Sequence, residues 1–568
     1  MIIALAQQNY HIGNFELNTQ KIIHAINRAK QDGADLIVFS ELSICGYPPR
    51  DLLAYEEFLD HCNESLAIVT AHADTIGVLI GTPLRNENPK GKGLFNAACL
   101  LYEKEIKAVV KKTLLPDYDI FDEYRYFEPA QEWNLVEFKG KKLAITICED
   151  VWNIGRNPLY DVTPMEKLIL QQPDMMINLS ASPYSCMQNQ VRNSIVKAHT
   201  VTYKIPMLYC NAVGAQTELI FDGGSLVYNA QGEKIFEAKY FEEDYCLVQS
   251  NELSRFEPLE GSESSENIFL SAKEVKSGKN TLSYLRDENN IEQIHAALVL
   301  GIKDYFGKMG FKKAILGSSG GLDSAVTLTL AVEALGAENV MAVLMPSQYS
   351  TSHSVNDAEQ LSLRLQNPYK ILSIETIYNI FLTELEPLFK ELPFSVAEEN
   401  IQSRTRGNLL MAIANKFGYV LLNTSNKSEL ATGYGTLYGD MAGGLSVLGD
   451  LYKTQVYALA RYINRKAEII PNSILTKAPS AELRPEQKDS DSLPSYDDLD
   501  TILFEYIENC NGPKEITSLG YNPTLVARIL KMVNNNEYKR NQFCPILRVS
   551  YKAFGAGRNM PIVAKHLS

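Results

Sequence analysis

At 568 residues the chain is too long for one hydrophobic core, since cores stop growing near roughly 250–300 residues, so two domains is the simplest organisation. A composition of 45% hydrophobic and 21% charged residues is that of a globular protein, which excludes a disordered or fibrous chain. With 54 basic against 68 acidic residues the net charge is −14 and no long basic run appears, which sets aside nucleic acid and anionic membrane as partners. The chain opens with an apolar run, 2–7, that reads as a strand, then an amphipathic helix over 15–32 ended by Gly33. DLIVFSE (35–41) reads as a second strand. GVLIGTP, FNAACLLYE, LAITICED, MMINLSASP, MLYCNAVG and SLVYNAQGE continue the pattern. Short apolar runs bounded by turn residues suit strands buried in a sheet beneath helices, and many strands with few long helices predict a layered α/β sandwich. From 250 to 280 the composition shifts to Ser, Glu, Gly and Lys, a surface linker. A second domain starts near Asp287, where Ile291, Ile294, Leu298, Ile302 and Tyr305 share one helical face. The strand KKAILG, a glycine-rich turn, a helix running to Gly336 and the strand MAVLMPS then form a parallel crossover unit. The acidic stretch 489–500 reads as a solvated loop. The expected boundaries are 1–250, a linker over 251–285, and 286–568.

Nine cysteines, an odd number with no C-x-x-C pair, speak against a disulfide framework and a zinc site. The first residues, MIIALAQQNY, lack the basic start and long apolar stretch of a signal peptide. No run approaches the ~18 apolar residues of a membrane span. A cytoplasmic location is expected.

Three ionisable residues sit at strand tips. Cys148 ends the apolar run LAITIC, Glu41 ends DLIVFSE, and Lys112 follows a strand and precedes a proline-marked turn. A lone cysteine there would ordinarily be a packed core residue, and a lone Glu or Lys would ordinarily face water. Together they supply what acyl transfer needs: a thiol to attack an amide carbon, a carboxylate to take its proton, and a cation for the oxyanion. FSELSICGYPPRDLL, KKTLLPDYDIFDEYRYF and ITICEDVW, in that order, resemble the nitrilase superfamily. The resemblance implies an α-β-β-α sandwich, with Glu41 as general base, Lys112 as oxyanion stabiliser and Cys148 as nucleophile. It also implies Glu123 as an auxiliary carboxylate and the Glu149 N–H as part of the oxyanion hole. Tyr118 and Ser182 would contact glutamine. The basic residue that normally follows that serine by six positions is here Gln188, with Arg192 nearby as a possible substitute.

ILGSSGGLDSA follows a strand and opens a helix, an arrangement that aims backbone N–H groups and a helix N-terminus at an anion. It lacks the lysine of the G-x-x-x-x-G-K-[ST] loop. A plain glycine turn with a capping aspartate is the bland alternative. The segment resembles the pyrophosphate loop of N-type ATP pyrophosphatases, which implies a Rossmann-like parallel-sheet domain. Gly317, Ser318, Ser319, Gly320, Gly321, Leu322, Asp323 and Ser324 would then hold ATP. ENIQSRTRGNLLMAIAN, LLNTSNKSELATGYGTLYGDMAGG and LGDLYKTQVYALARYI resemble NAD synthetases in particular. That likeness implies ATP contacts at Arg404, Thr424 and Lys453, and deamido-NAD contacts at Asn400, Glu429, Asp440 and Lys539. Asp323 and Glu429 would be ligands of Mg²⁺, and the segment 477–483 a mobile loop over the phosphates.

The two resemblances together imply glutamine hydrolysis coupled to ATP-dependent amidation of deamido-NAD, with ammonia carried through a protected conduit and the chain assembled as a homo-oligomer. Another amidotransferase of the ATP-pyrophosphatase class remains an alternative. So do an amidase with a nucleotide-binding regulatory domain and a synthetase whose amidase half is inactive.

Overall fold

The computed structural model describes residues 1–154, 159–253, 281–390, 392–479, 482–484 and 493–566. The chain divides into two compact units, Met1–Val275 and Lys276–Ser568.

In the first unit one sheet comprises β1 (Ile2–Gln7), β2 (Leu36–Val38), β3 (Gly77–Arg85), β4 (Leu94–Tyr102), β5 (Glu105–Lys111) and β14 (Asp244–Gln249), in the order β14-β1-β2-β3-β4-β5. The other comprises β6 (Val136–Phe138), β7 (Lys141–Ile147), β8 (Met175–Ser180), β9 (Met207–Asn211), β12 (Leu226–Tyr228) and β13 (Lys234–Glu237), in the order β13-β12-β9-β8-β7-β6. A separate hairpin joins β10 (Val213–Gln216) to β11 (Leu219–Asp222). β1 pairs antiparallel with β14, Ile2 opposite Gln249, and the Met1 ammonium donates to Ser250 Oγ at 3.1 Å.

Strand alternation builds the layers. Ile3, Leu5, Leu36 and Val38 pack against Ile145, Ile147, Ile177 and Leu179 of the second sheet. Ala4, Ala6 and Ile37 face the other way, onto Ile22 and Ile26 of α1 (Phe15–Gln31) and Leu59 and Leu66 of α2 (Glu56–His72). On the far side, Ala144, Met176 and Tyr209 meet Val191 and Ile195 of α3 (Gln188–Tyr203). The result is helix, sheet, sheet, helix. Strands buried on both faces read as continuous apolar runs, which is why these segments carry that signature. Each such Ile or Leu contributes about 1.5–3 kcal/mol on burial.

Two readings need adjustment. The strand expected over 35–41 stops at Val38, and Glu41 lies in a turn with Leu42 at φ +45°. That turn presses onto β3 at Gly81, where a Cβ would fall 2.4 Å from Leu42 N, so only glycine admits it. The linker expected over 251–285 overlaps short helices at Ser250–Leu253 and Thr281–Leu285; its middle, 254–280, lies outside the described residues.

The second unit holds a parallel sheet of β15 (Ala314–Gly317), β16 (Val340–Leu344), β17 (Tyr369–Ile371), β18 (Val420–Asn423) and β19 (Leu445–Ser446), in the order β17-β16-β15-β18-β19. The chain builds outward from β15 on one side, then returns to the other. The point of reversal, between β15 and β18, is where open α/β sheets bind ligands. Surrounding helices include α4 (Glu288–Met309), α5 (Leu322–Leu335), α6 (Val396–Phe417), α7 (Lys427–Thr432), α8 (Lys453–Ile463) and α9 (Tyr496–Ile507). The acidic stretch 489–500 is not simply a solvated loop. Residues 489–492 lie outside the described residues, but Asp500 is buried within α9, where its carboxylate accepts from Ser428 Oγ and, at 2.8 Å, from Thr454 N. Among the described residues no helix is long and apolar enough to cross a membrane.

Candidate active sites

In the first unit the C-terminal ends of β2, β5, β7 and β8 bring the site together. Glu41 lies beyond β2, Lys112 directly follows β5, Cys148 directly follows β7, and Ser182 lies beyond β8. Lys112 Nζ stands 2.7 Å from Glu41 Oε1 and 2.8 Å from each oxygen of Glu123. Glu41 is held further by Asn96 Nδ2 at 2.8 Å and by Ala181 N at 3.1 Å. Tyr47 Oη donates to Glu123 Oε1 at 2.7 Å. Burial opposes the Lys112 charge, yet the Glu123 and Glu41 carboxylates override it and hold the ammonium well above its ordinary value. Burial raises Glu123, as does Glu41, against the pull of Lys112.

Cys148 opens a short 3-10 turn, Cys148–Val151, with φ +42°. Burial pushes its thiol well up, and the Glu41 charge adds to this while Lys112 opposes it. The resting group is therefore a thiol and not a thiolate. Asp150 braces the turn: its carboxylate accepts from Ile147 N at 3.0 Å, Thr113 N at 3.0 Å and Leu114 N at 2.8 Å. One side chain thus ties the Cys148 turn to the segment following Lys112. Burial raises the Asp150 carboxyl to about 6, against those backbone donors. Burial raises Glu149 to about 7, opposed by the Tyr118 hydroxyl. Tyr118 Oη donates to Glu149 Oε1 at 2.8 Å and Tyr160 Oη to the same atom at 3.2 Å.

Ser182 is buried, its N–H donating to Asn211 Oδ1 at 2.9 Å. Gln188 is the half-buried first residue of α3. Arg192 lies fully buried, bonded to Asp222 at 2.6 Å and to Gly223 O at 2.8 Å. Sequence reading passed over Asn96, Tyr47 and Asp150. Asn96 gave a signal, a polar residue inside the apolar run FNAACLLYE.

In the second unit a cavity of about 570 Å³ opens at the sheet's point of reversal. Gly317, Ser318, Ser319, Gly320, Gly321, Leu322, Asp323 and Ser324 all line it, as do Asn400, Thr424, Glu429, Asp440, Lys453 and Lys539. Arg404 does not: it is exposed, with Nε on Leu437 O at 3.2 Å. Arg406 lines the cavity instead, and burial lowers its guanidinium to about 10. The turn is shaped by Gly321 N on Ser319 Oγ at 3.2 Å and Ser324 Oγ on Gly321 O at 3.0 Å. Gly320 has φ +75°, and a Cβ there would come 2.1 Å from Ser354 O.

Asp323 accepts from Asn426 Nδ2 at 3.0 Å, and Asn426 caps α7 with Oδ1 on Glu429 N at 3.0 Å. Lys453 Nζ pairs with Asp323 and lies 3.8 Å from Glu429. Burial disfavours the Lys453 charge, but Asp323 and Glu429 outweigh it and raise the group. Lys539 Nζ donates to Gly433 O and Gly435 O, each at 2.8 Å. Asn400 Oδ1 accepts from Thr436 Oγ1 at 2.7 Å, and Asp440 Oδ1 from Thr436 N. Asn426 was missed, though N-K-S-E spells a capping box. Among the described residues no cluster of three or more His, Cys, Asp or Glu could hold a metal. Two carboxylates fit Mg²⁺ nonetheless, since that ion takes few protein ligands and completes its shell with water and substrate phosphates.

A sandwich bearing a buried Lys–Glu–Cys set, in one chain with a parallel-sheet unit whose glycine-rich turn lines a cavity, has the make-up of a carbon–nitrogen hydrolase fused to a synthetase. Family models agree: Carbon-nitrogen hydrolase matches residues 2–254 and NAD synthase residues 294–543. The chain is 44% identical to a glutamine-dependent NAD(+) synthetase from Synechocystis sp., covering 99% of this chain and 98% of that one. It is 40% identical to the protein of that name from Thermotoga maritima, at 99% and 98% coverage. A solved glutamine-dependent NAD+ synthetase from Acinetobacter baumannii, in complex with ADP, superposes with a TM-score of 0.74 at 36% identity, covering 99% of this chain and 98% of that one. The chain belongs to the glutamine-dependent NAD(+) synthetase family.

Proposed function

We propose that the chain makes NAD by ATP-dependent amidation of deamido-NAD, with the nitrogen drawn from glutamine, and that the residues brought together at its two sites carry the two half-reactions. The observation that supports this reading is the buried Lys112–Glu41–Glu123 set in the same unit as Cys148, in a chain related to that family over almost its whole length.

In the first half-reaction Glu41 takes the Cys148 proton and the sulfur attacks the glutamine amide carbon. Lys112 and the Glu149 N–H receive the developing oxyanion, and Glu123 balances the Lys112 charge. Glu41 passes that proton to the amide nitrogen and ammonia leaves. Glu41, again a carboxylate, then takes a proton from water, which cleaves the thioester to glutamate, and returns the proton to the Cys148 sulfur. Tyr118, Ser182 and Gln188 seat the substrate. Here Gln188 offers a neutral amide where the resemblance leads one to expect a cation.

In the second half-reaction the loop 317–324 holds ATP phosphates, with Thr424 and Lys453 as further contacts. Arg406, which lines the cavity, takes the place that the sequence suggested for Arg404. Asn400, Glu429, Asp440 and Lys539 face deamido-NAD. Its nicotinate carboxylate attacks the α-phosphorus and pyrophosphate leaves. Ammonia then displaces AMP from the acyl-adenylate to give NAD. Asp323 and Glu429 would hold Mg²⁺, which offsets phosphate charge. Ammonia is mostly protonated at neutral pH, so supply as the free base from an amide serves this step better than ammonium from solution.

A homo-oligomer is inferred as well. The exposed apolar face of the helix Glu375–Phe389, with Ile380, Phe381 and Leu388, supports it.

The test supplies glutamine labelled with ¹⁵N at the amide. The label must appear in the NAD carboxamide, with AMP, pyrophosphate and glutamate formed in equal amounts. Chelation by EDTA must stop pyrophosphate release. Unlabelled NAD, or ADP in place of AMP, would sink the scheme.

A further inference from the structure

Behind Ser182 lies a buried ion pair to which the scheme above gives no task. Arg192 on α3 and Asp222 at the end of β11 meet at 2.6 Å, with side chains 1% and 0% exposed. Stability alone does not call for such a pair, because well-packed apolar residues of similar volume commonly serve as well.

Its hydrogen bonds lead to the amide-hydrolysing site. Arg192 Nη1 donates to Gly223 O at 2.8 Å, and that same carbonyl accepts from Asn211 Nδ2 at 2.8 Å. Asn211 Oδ1 accepts from Ser182 N at 2.9 Å. One peptide bond back, Ala181 N donates to Glu41 Oε2 at 3.1 Å. The path from guanidinium to Glu41 is unbroken, and every side chain on it is buried. Gly223 adopts φ +70°, and a Cβ there would lie 2.3 Å from Gln7 Nε2. The carbonyl at the hub of the path is thus set by a backbone conformation that only glycine allows here.

We infer that Arg192 is a positioning residue of the amide-hydrolysing site: by fixing the Gly223 carbonyl it fixes Asn211, the Ala181–Ser182 segment and hence the aim of the Glu41 carboxylate. This places Arg192 behind the site and not on the glutamine carboxylate. The inference rests on the reading of Glu41 as the base. Hydrogen-bonded chains of this kind hold reacting groups within tenths of an ångström, and a small misplacement far from the chemistry costs rate more than binding.

Two variants test it. Arg192→Leu combined with Asp222→Leu removes both charges together, so that neither is left buried alone. Asn211→Ala breaks the path and leaves the pair intact. In each, glutamine-dependent kcat should fall about ten- to hundredfold with KM little changed. Ammonium-dependent NAD synthesis should stay at the parent rate. Alkylation of Cys148 by iodoacetamide should slow, because the thiol loses its aimed base. Simple loosening of the fold would speed that alkylation instead, so faster alkylation or an unchanged kcat in Asn211→Ala overturns the inference. Glu41→Gln is the control. If it leaves glutamine hydrolysis intact, the base reading itself fails; if it abolishes hydrolysis while Asn211→Ala stays active, only the role of Arg192 fails.

Discussion

Lys112 Nζ stands 2.7 Å from Glu41 Oε1, and neither side chain is open to solvent. One ammonium thereby serves two buried carboxylates, Glu41 and Glu123. Low local polarity makes that arrangement strong when complete and costly when one member is lost.

Lys112→Met should therefore lower stability by about 3–5 kcal/mol, since it leaves two carboxylates buried without a cation. Urea unfolding followed by circular dichroism measures the loss. Glutamine hydrolysis should vanish in the same variant. A variant as stable as the parent would mean that Lys112 is not their counter-charge.

Cys148→Ala removes the proposed nucleophile and leaves the Lys112–Glu41–Glu123 hydrogen bonds in place. NAD formation from glutamine should stop, while formation from ammonium continues near the parent rate. Assays with each nitrogen source, read as NAD produced, separate the cases. Loss of both activities, or of neither, contradicts two distinct sites.

Glu149 makes stability depend on pH. Its carboxyl moves from an ordinary 4.5 to about 7 in the folded chain, chiefly through burial. The folded state thus binds the proton more tightly than the unfolded one. The resulting stabilisation is complete below pH 4.5 and is lost as pH rises through about 7. Asp150, raised to about 6, adds a parallel contribution at lower pH. Urea midpoints across this range should fall with rising pH in the parent, and fall less steeply in Glu149→Gln. Equal slopes would remove Glu149 as the source.

Gly320→Ala should cost about 1–3 kcal/mol in strain, or force the loop to move, because the residue sits at φ +75° against Ser354 O. Either outcome distorts the glycine-rich turn. Pyrophosphate release from ATP should drop sharply, with hydrolysis of glutamine in the absence of ATP unaffected. A variant with full pyrophosphate release would show that this glycine is not needed for the turn.

Much of the layered fold was legible because strands buried on both faces must be apolar throughout, as in LAITI and MMINL. Glu41, Lys112 and Cys148 stood out as ionisable residues at the tips of such runs. The turn over 317–324 was legible because glycines between a strand and a helix leave a local mark. What stayed hidden depends on contacts between distant segments. Nothing near Asn96 reveals that it will reach Glu41, and nothing in α6 tells Arg406 from Arg404, two positions away on the same helix. The acidic stretch 489–500 misled for the same reason: Asp500 is polar in composition, yet its partners Ser428 and Thr454 lie far off in sequence.

The pairing of β1 with β14 has a consequence for how the molecule is made. In chain order β1 leaves the ribosome well before its neighbour over 244–249, which emerges only after the other strands of both sheets. Until then Ile2–Gln7 presents an unpaired, apolar edge, the kind of surface that recruits other chains. A nascent molecule must keep this edge covered or apart from its neighbours on the polysome. The demand for chaperone protection therefore falls on the synthesis of the first half, and expression conditions that slow translation there lengthen the exposure.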